Sequence, residues 1–488
     1  MKAPSPDEAG LRTPRRRVLL ANPPADHGVR QVREGRCMQR AGAWTAVWTP
    51  ISLAISAALL RQRGHDVRLR DCIVEDIDFN RLVHIIGAFG PQLVVFNAVT
   101  PAIVSDLSTA RWAKAVDPSI RCAAIGIHGT ALPQETLEIE PALDVVVRGE
   151  PEMTIAELAE SADHSSIAGI SWRSRDGDDA DGEIHHNPDR PFVRDLDDLP
   201  FPAWDLIRTA LYRMPFSGER FLLVGTGRGC PHACTFCADR TYYGNRLRLR
   251  SPASVADELE RNGRDFGIRD FLFWSESFTL SRRFAISLAE EIIRRRLDVR
   301  WVCNSRVDHV DRELLALFRR AGCWMIGYGI ESGVQRILDS VRKGATVEQA
   351  RAAVEASHAA GLQVTGHCVL GFPGETRADI VETIRFALDI DLDFAQFYCA
   401  VPFPGSQLYR EARAAGWICS DDWSRFEQNF SVLNTPQLSA EETMELRRAA
   451  YRRFYLRPRL IARTLKQTHS LQQFGRLAGS VKDFLTWV

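Results

Sequence analysis

Short apolar runs alternate with amphipathic stretches along most of this 488-residue chain. In the first third, the apolar runs predict strands at 17–21, 67–69, 93–96, 123–125 and 145–147. Helical patterns lie near these runs, at 50–63, 78–89 and 152–161. Apolar strands that alternate with helices predict an α/β fold with a doubly wound parallel sheet.

The same alternation returns in the second half of the chain. Further apolar runs predict strands at 221–224, 271–274, 301–304, 325–330, 364–370 and 394–398. Helical patterns separate them, at 252–266, 281–296, 311–321, 346–360 and 376–390. Six such βα units predict a partial (β/α)₆ barrel, whose catalytic groups should lie at the carboxyl ends of the strands.

Changes in composition divide the chain into segments with different character. They are a disordered tail at 1–15, an α/β domain at 16–160, a linker at 161–215, the barrel at 216–415 and a helical C-terminal region at 416–488. The linker is rich in Asp, Gly and Pro, and a β-hairpin is expected around Asp176. The C-terminal region should contain a helix from Ala440, with Ser439 as its N-cap.

Composition limits the classes of function. Lys+Arg and Asp+Glu are both 62, so the formal net charge is zero and gives no support for nucleic-acid binding. No stretch of about 18 apolar residues predicts a membrane span. No apolar signal core follows the basic N-terminal segment, so we expect a cytoplasmic protein whose cysteines are free thiols.

Three closely spaced cysteines follow the first predicted barrel strand. Cys230, Cys234 and Cys237 stand in a C-x₃-C-x₂-C pattern, with Phe236 directly before the third. Iron–sulfur clusters are held by cysteine thiolates, and a cubane with three protein ligands leaves one iron open. Zinc and three unrelated thiols are the alternatives, but zinc usually needs a fourth ligand. We therefore predict that these cysteines hold a 4Fe–4S cluster.

This spacing, with its aromatic residue, resembles the signature of radical S-adenosylmethionine (SAM) enzymes. The resemblance covers about residues 216–415 and implies that SAM chelates the open iron, with Phe236 beside the cofactors. The phrase Gly-Ile-Glu331-Ser332 is similar to the family phrase whose Glu and Ser meet SAM. The resemblance therefore implies SAM contacts for Glu331 and Ser332.

Two further SAM contacts are expected at the next strand ends. Members of this family usually carry a carboxylate pair followed by Phe, whereas here Ser275 replaces the first acid and Glu276 remains. The Glu276 carboxylate suits the SAM ammonium, and Arg306 suits its carboxylate or ribose. The alternatives are a surface acid for Glu276 and a structural ion pair for Arg306.

Other residues near strand ends are candidates for the substrate pocket. His367 and Cys368 are adjacent in one predicted strand, so one of them should point into the barrel. Tyr398 or Cys399 is a candidate to face the substrate. Buried structural roles are the alternative for all four residues.

The first domain, placed directly before such a barrel, resembles the cobalamin-binding domain of cobalamin-dependent radical SAM enzymes over about residues 16–160. Ligands of such sheets bind outside the carboxyl ends of the strands. The resemblance implies cobalamin contacts for the strand-end residues Asn97, Gly126, His128, Gly129, Gly149 and Glu150.

Two features of the loop after the first strand bear on the same cofactor. Asp26-His27-Gly28 lacks the spacing of the D-x-H-x-x-G motif, so no histidine ligand to cobalt is expected. The stretch from Trp44 to Trp48 either packs in the core or covers a ligand.

The resemblance implies that the reduced cluster cleaves SAM to methionine and a 5′-deoxyadenosyl radical. The leading prediction is cobalamin-dependent radical methylation of an unactivated carbon in a small-molecule, lipid or other natural-product substrate. Electrons would come from an external donor of the flavodoxin or ferredoxin type. The enzymatic alternative is oxidative cyclisation or rearrangement, as in the anaerobic magnesium-protoporphyrin ester cyclases and hopanoid-associated members. A non-catalytic cobalamin or iron–sulfur sensor is the alternative of another class.

Overall fold

A computed structural model of the chain describes residues 15–35, 39–40, 46–174, 182–214 and 217–458. The expected disordered tail at 1–15 lies outside the described residues except for Arg15, and Trp44 also lies outside them. Within these ranges, no helix has both the length and the apolar character needed to cross a membrane.

The first of two large sheets contains β1 (Arg17–Asn22), β2 (Asp66–Asp71), β3 (Leu93–Asn97), β4 (Arg121–Ile125), β5 (Val145–Val147), β6 (Ile170–Arg173) and β7 (Ile184–His186). The strand order is β2-β1-β3-β4-β5-β6-β7. The strands β1 to β5 are parallel, as predicted. The order reverses between β1 and β3, and ligands of open α/β sheets bind at such a point, outside the carboxyl ends.

The first unit also contains α1 (Ile51–Gln62), α2 (Phe79–Phe89), α3 (Ile103–Val116), α4 (Ile127–Ala131), α5 (Pro133–Ile139) and α6 (Pro151–Glu160). One face of the sheet packs on α1 and α6, and the other packs on α2, α3 and α5. The sheet is therefore doubly wound, as predicted. The sequence pattern did not reveal α3, because its buried face includes Asp106, which pairs with the buried Arg33.

The hairpin expected around Asp176 extends this sheet. Val145 of β5 lies opposite Trp172 of β6 in an antiparallel pair, and β7 pairs antiparallel with β6. The hairpin therefore covers the β5 edge, which would otherwise present unpaired backbone groups. The tip at 175–181, including Asp176, lies outside the described residues.

The second unit contains β8 (Phe221–Gly225), β9 (Gly227–Arg228), β10 (Arg248–Leu249), β11 (Asp270–Trp274), β12 (Arg300–Ser305), β13 (Cys323–Glu331), β14 (Gln363–Leu370) and β15 (Phe394–Cys399). A six-stranded parallel sheet runs in the order β8-β11-β12-β13-β14-β15. No pairing closes β8 onto β15 among the described residues, so the barrel is partial, as predicted.

The helices of this unit are α7 (Asp239–Tyr243), α8 (Pro252–Phe266), α9 (Arg282–Arg294), α10 (Arg312–Arg320), α11 (Gln335–Ser340), α12 (Val347–Ala359), α13 (Arg377–Asp389), α14 (Gln407–Ala414) and α15 (Ala440–Tyr455). Ser439 caps α15 as expected, and Glu442 completes a capping box. The predicted helical region at 416–488 is wrong for residues 416–439, which contain a short 3₁₀ turn at Trp423–Arg425 and an isolated bridge between Ile418 and Leu433. Residues 459–488 of that region lie outside the described residues.

A continuous apolar core joins the two units. It includes the α1 and α6 face of the first sheet together with strands and helices of the barrel. Leu223 of β8 donates its N–H to Thr49 Oγ1 at 3.2 Å, directly before α1. Tyr212 donates its hydroxyl to Asp71 Oδ2, at the end of β2, at 2.7 Å. These contacts fix the first sheet against the barrel.

Candidate active site

A cavity of about 310 Å³ lies inside the barrel. All six strands contribute to its wall, with side chains that alternate inward and outward. His367 lines the cavity and is partly exposed, whereas its neighbour Cys368 is fully buried on the other side of β14. His367 is therefore the residue of this pair that points inward. Tyr398 and Cys399 both line the cavity, and the Tyr398 ring stacks 5.9 Å from His367.

The three cysteines lie between β9 and α7, at the carboxyl side of the barrel. None of the three forms a disulfide with a described residue, all three are partly exposed, and Cys237 lines the cavity. Phe236 also lines it and packs against Phe372, with ring centroids 5.2 Å apart. No three His, Cys, Asp or Glu side chains are close enough to hold a single metal ion in the described part of the chain. A cluster differs from a single ion in this respect, because its cysteine ligands bind separate irons, and three thiols on one short loop fit a cluster with one open iron.

Glu331 and Lys343 form an ion pair in the cavity wall. Lys343 Nζ donates to Glu331 Oε1 at 2.5 Å, and both side chains are less than a tenth exposed. Gly329 leaves space for this pair, because a Cβ there would lie 2.5 Å from Glu331 Oε1 and 2.7 Å from Lys343 Nζ. Sequence reasoning found Glu331 but missed Lys343, which lies in a polar loop twelve residues later.

Gly327, which lies two residues before Gly329 in β13, also leaves space for neighbouring side chains, nearer the amino end of the strand. A Cβ at Gly327 would overlap Asn304 Oδ1 and lie 3.0 Å from His367 Nε2. Asn304 and His367 therefore approach the bare backbone of β13 from the neighbouring strands.

Arg306 lines the cavity and also forms a structural ion pair. Its Nε donates to Asp308 Oδ1 at 2.9 Å, and its Nη2 donates to Asp308 Oδ2 at 2.7 Å. The same Nη2 donates to the main-chain carbonyl of Lys343 at 2.7 Å. Burial raises the pKa of Asp308, but the Arg306 guanidinium outweighs that effect and holds the pKa below its usual range. Arg306 thus fixes the segment that carries Lys343.

The segment after β11 places three buried polar side chains on the cavity. Ser275, Glu276 and Ser277 all line it. The hydroxyls of Ser275 and Ser277 have no hydrogen-bond partner among the described residues. Buried polar groups are nearly always satisfied, so this part of the wall suits a polar ligand.

Ser332 lies elsewhere, although it is adjacent to Glu331. Its hydroxyl contacts Thr383 Oγ1 at 3.0 Å and accepts the Val334 N–H at 3.2 Å. Glu331 has a φ of 62°, and the chain turns there, so the Ser332 side chain faces α13. The structure therefore does not bring Ser332 into the cavity wall.

At the edge of the first sheet, Asn97 begins a buried hydrogen-bond chain. Asn97 Nδ2 donates to Asn22 Oδ1 at 2.9 Å, and Asn22 Nδ2 donates to Asp71 Oδ2 at 3.1 Å. Asn97 and Asn22 end β3 and β1, so they lie at the point where the strand order reverses. This is the position expected for a ligand of such a sheet.

Gly126, His128 and Gly129 lie at the start of the short helix α4 rather than in an open loop. Gly126 has a φ of 130°, and a Cβ there would lie 2.5 Å from the Ala98 carbonyl oxygen. A Cβ at Gly129 would lie 2.8 Å from Val146 Cγ1. Both glycines are therefore required by the packing of α4 on the sheet.

His128 is completely buried where α4 packs on the first sheet. Its Nδ1 lies 3.2 Å from Thr100 Oγ1, and its ring meets Trp423 edge-on at 4.9 Å. Its Nε2 has no partner in the described part of the chain. Burial lowers the pKa of His128 to about 4, so the imidazole is neutral. Protein atoms cover this nitrogen even without a ligand, so a cofactor at this edge would reach His128 only if the Trp423 contact opened.

Gly149 and Glu150 follow β5. The Gly149 N–H donates to Thr130 Oγ1 at 3.0 Å. Glu150 accepts from Arg248 at 2.8 Å and pairs with Arg228 at 3.2 Å. Because Arg228 and Arg248 form the β9–β10 ribbon, Glu150 ties the first unit to the strands that flank the cysteine loop.

The first unit also reaches the barrel cavity through the loop after β1. Gln39, Ala46 and Trp48 line the cavity, and the Trp48 ring lies 4.8 Å from Trp274 in an edge arrangement. Trp48, from the stretch between Trp44 and Trp48, therefore forms part of the cavity wall. In the same loop, the His27 side chain is 94% exposed.

Comparisons with known proteins agree with this two-unit arrangement. Residues 42–159 match the B12 binding domain, and residues 224–387 match the radical SAM superfamily. The uncharacterised methyltransferase PH0819 of Pyrococcus horikoshii is 32% identical over 93% of this chain and 95% of its own. The anaerobic magnesium-protoporphyrin IX monomethyl ester cyclase of Rubrivivax gelatinosus is 28% identical over 96% of this chain and 82% of its own.

The fold also matches a solved structure of the same type. The radical SAM methyltransferase TsrM of Kitasatospora setae, with cobalamin and a 4Fe–4S cluster bound, aligns with a TM-score of 0.65. The alignment covers 90% of this chain and 85% of that chain at 20% identity. The cofactors of this protein are therefore a 4Fe–4S cluster, SAM and cobalamin. The chain belongs to the cobalamin-dependent radical SAM enzymes.

Proposed function

We propose that this enzyme methylates an unactivated carbon of a small-molecule, lipid or other natural-product substrate. The observation that supports it is the shared chamber, where Cys237 and Glu331 of the barrel meet Trp48 of the cobalamin-binding unit. When bound, the cluster would supply the electron for reductive cleavage of SAM to methionine and a 5′-deoxyadenosyl radical, and cobalamin would supply a transferable methyl group. A cavity bounded by both units would bring one substrate carbon close both to the SAM-derived radical and to the methyl group on cobalamin.

The cluster and SAM would be held by the carboxyl ends of the barrel strands. Cys230, Cys234 and Cys237 would ligate three irons. Glu331 would accept hydrogen bonds from the SAM amino group, and Lys343, already beside Glu331, would pair with the SAM carboxylate. The Lys343 ammonium has three donors, so it can contact both carboxylates at once.

Further SAM contacts would come from two neighbouring strand ends and from the cysteine loop. Glu276 lies between two hydroxyls that have no protein partner in the described part of the chain, so polar ligand atoms are expected there. Arg306 would act mainly by fixing the Lys343 segment, and Phe236 would pack beside the cofactors. The position of Ser332 outside the cavity wall gives no support for a contact between its hydroxyl and SAM.

Cobalamin would lie at the carboxyl edge of β1–β5. His128, a neutral imidazole, would contact a polar group of the cofactor only if its packing against Trp423 opened, and otherwise it would support this edge from beneath. Asn97 at the reversal of strand order and the strand-end positions Gly126, Gly129 and Gly149 would border it. Glu150 would contribute by holding the β9–β10 ribbon, whose strands flank the cysteine loop, against this edge.

An external one-electron donor of the flavodoxin or ferredoxin type would reduce the cluster in the cytoplasm. Main-chain hydrogen bonds join the cysteine loop to Gly244, Val341 and Leu408. Four exposed arginines flank these contacts, namely Arg240, Arg246, Arg342 and Arg410. None of them forms an ion pair with a described residue. A basic rim around the cluster would attract an acidic electron carrier.

Oxidative cyclisation is the second candidate, because the Rubrivivax cyclase aligns with 96% of this chain. The two reactions differ in the fate of the SAM methyl group. A methylated product acquires that group, whereas a cyclised product does not.

The test uses protein reconstituted anaerobically with cluster, cobalamin and methyl-labelled SAM, and then incubated with fractionated lipid and small-molecule extracts. Release of 5′-deoxyadenosine together with label in a product supports methylation. Unlabelled product with a new ring supports cyclisation. Absence of 5′-deoxyadenosine with every fraction would favour the sensor.

A further inference from the structure

The barrel cavity has two chemically different ends. Its charged lining residues are Glu276, Arg306, Glu331 and Lys343. The first three lie at or just beyond the carboxyl ends of β11, β12 and β13, and Lys343 is bonded to Glu331. No charged side chain lines the amino end within the described part of the chain.

The amino half of the cavity is lined mainly by apolar side chains, with Thr365 and Ser217 as polar exceptions. Leu272, Val302 and Met325 lie opposite one another on adjacent strands, so they form a continuous apolar surface. Phe221 and Phe394, the first residues of β8 and β15, line the same end. A ligand here would gain from burial of apolar surface and find few polar partners.

This apolar half is only partly filled by its own side chains. Met325 and Phe394 are partly exposed, whereas the outward-facing Ile326 and Ala395 are fully buried. A barrel interior that served only as a core would be filled by its own side chains. Phe221, Leu272 and Val302 are less exposed, so a ligand would meet this half mainly at Met325 and Phe394.

Two other segments frame the cavity at this end. Met214 belongs to a hairpin before β8, closed by a bridge between Arg213 and Arg220. Tyr455, at the end of α15, donates its hydroxyl to the Ala395 carbonyl at 2.8 Å. The apolar half thus continues past the strands to these two segments.

We propose that the substrate carries an extended apolar segment, a hydrocarbon chain or fused-ring skeleton, which lies in the amino half of the barrel. Its reacting carbon is then held at the level of Glu331 and Lys343, beside the site proposed for SAM. This inference rests on the proposed function for the reaction, but apolar binding is measured without turnover.

The test titrates the reconstituted enzyme with cis-parinaric acid, a fluorescent polyene fatty acid, and displaces it with saturated fatty acids of increasing length. Burial of each added methylene should tighten binding about fourfold until the apolar half is filled. Met325→Glu, which places a charge at a partly exposed apolar position, should weaken cis-parinaric acid binding at least about tenfold. Val302→Phe narrows the same half without adding charge, and it should shorten the chain length at which affinity stops rising.

The control is Val104→Glu, a change at a 60% exposed position on α3, which should leave binding unchanged. Fatty acids that bind without dependence on chain length, or equally to the Met325→Glu and control proteins, would overturn the inference. Label transfer to a compact polar product without apolar binding would also overturn it while leaving methylation intact. Chain-length-dependent binding without any 5′-deoxyadenosine would instead overturn the proposed reaction.

Discussion

The Arg306 guanidinium donates a hydrogen bond to the main-chain carbonyl of Lys343 at 2.7 Å. The same guanidinium holds Asp308 through two hydrogen bonds. A planar fork with several donors can make these contacts together, whereas a lysine ammonium cannot reproduce them. Arg306 therefore links the end of β12 to the loop that carries the cation beside Glu331.

Arg306→Lys should weaken SAM binding about tenfold, because the Lys343 loop loses its anchor while the charge is kept. Iron content should remain unchanged. SAM affinity is measured from the change in the spectrum of the reduced cluster. Arg312→Lys, at a surface pair with Glu355, is the control and should bind SAM normally. Equal affinities for the two variants would contradict a positioning role for Arg306.

Glu331→Gln should weaken SAM binding about tenfold or more, because a charge-assisted hydrogen bond contributes about 1.5–3 kcal/mol. Ser332→Ala is the matched neighbour, since its hydroxyl faces Thr383 rather than the cavity. It should bind SAM normally and lose at most about 1 kcal/mol of stability. Calorimetric titration with SAM and urea unfolding separate the two effects. Loss of SAM affinity in Ser332→Ala would restore the contact implied by the family phrase.

Cys234→Ala should reduce bound iron strongly and abolish formation of 5′-deoxyadenosine, because a cluster with one open iron needs all three thiolates. Cys419→Ala removes an exposed cysteine outside the loop and serves as the control. Iron analysis and the visible absorption of the cluster report the result without turnover. A Cys234→Ala protein with full iron content and an intact cluster spectrum would refute the ligand assignment.

The double change Arg342→Glu and Arg410→Glu should slow cluster reduction by flavodoxin about tenfold or more at low salt. Reduction by dithionite should be unaffected. The difference between variant and parent should shrink as ionic strength rises, because salt screens exposed charges. Arg283→Glu, at an exposed position on α9, is the control. Stopped-flow bleaching of the cluster gives the rates, and equal rates with flavodoxin would exclude this docking surface.

Glu34 is a buried carboxyl that accepts hydrogen bonds from the N–H and hydroxyl of Ser52. Burial raises its pKa from 4.5 to about 7. The folded state therefore holds this proton more tightly than the unfolded state, and the resulting stability is lost as pH rises from about 4.5 through 7. Glu34→Gln should be more stable than the parent above pH 7 by about 3 kcal/mol, and similar near pH 4.5.

Urea unfolding of the reconstituted protein at several pH values measures this effect. Glu355→Gln, at an exposed carboxyl, is the control and should leave the pH dependence of stability unchanged. A parent protein whose stability does not fall over this range would show that Glu34 stays ionised in the fold.

The sequence was informative where short-range pattern decides structure. Apolar runs such as 93–96 and 364–370 marked strands, and the order along the chain then implied both sheets. It did not reveal that the hairpin pairs with β5, because antiparallel addition at an edge depends on contacts between distant residues. It also missed α3, whose buried face contains the charged Asp106.

The residues of the candidate site could likewise be predicted only where they are close together in the sequence. The cysteine spacing and the Glu331 phrase were visible in the sequence, because those residues are local to one loop or one strand end. Lys343 was missed, since only the turn at Glu331 and the space above Gly329 bring it to the wall. Ser332 was expected in the site from the resemblance to the family phrase, but the same turn directs its hydroxyl to Thr383.

Gly327 and Gly329 lie on the wall of the cavity, and their missing side chains leave room for groups from other positions. Asn304 and His367 use the room at Gly327, and the Glu331–Lys343 pair uses the room at Gly329. An alanine at 327 would have to displace Asn304 or His367. It would thereby change the shape of the cavity and the range of substrates that fit, without replacing a cysteine, Glu331 or Lys343. Substrate choice could therefore change through a single residue while the residues proposed to hold the cluster and SAM are kept.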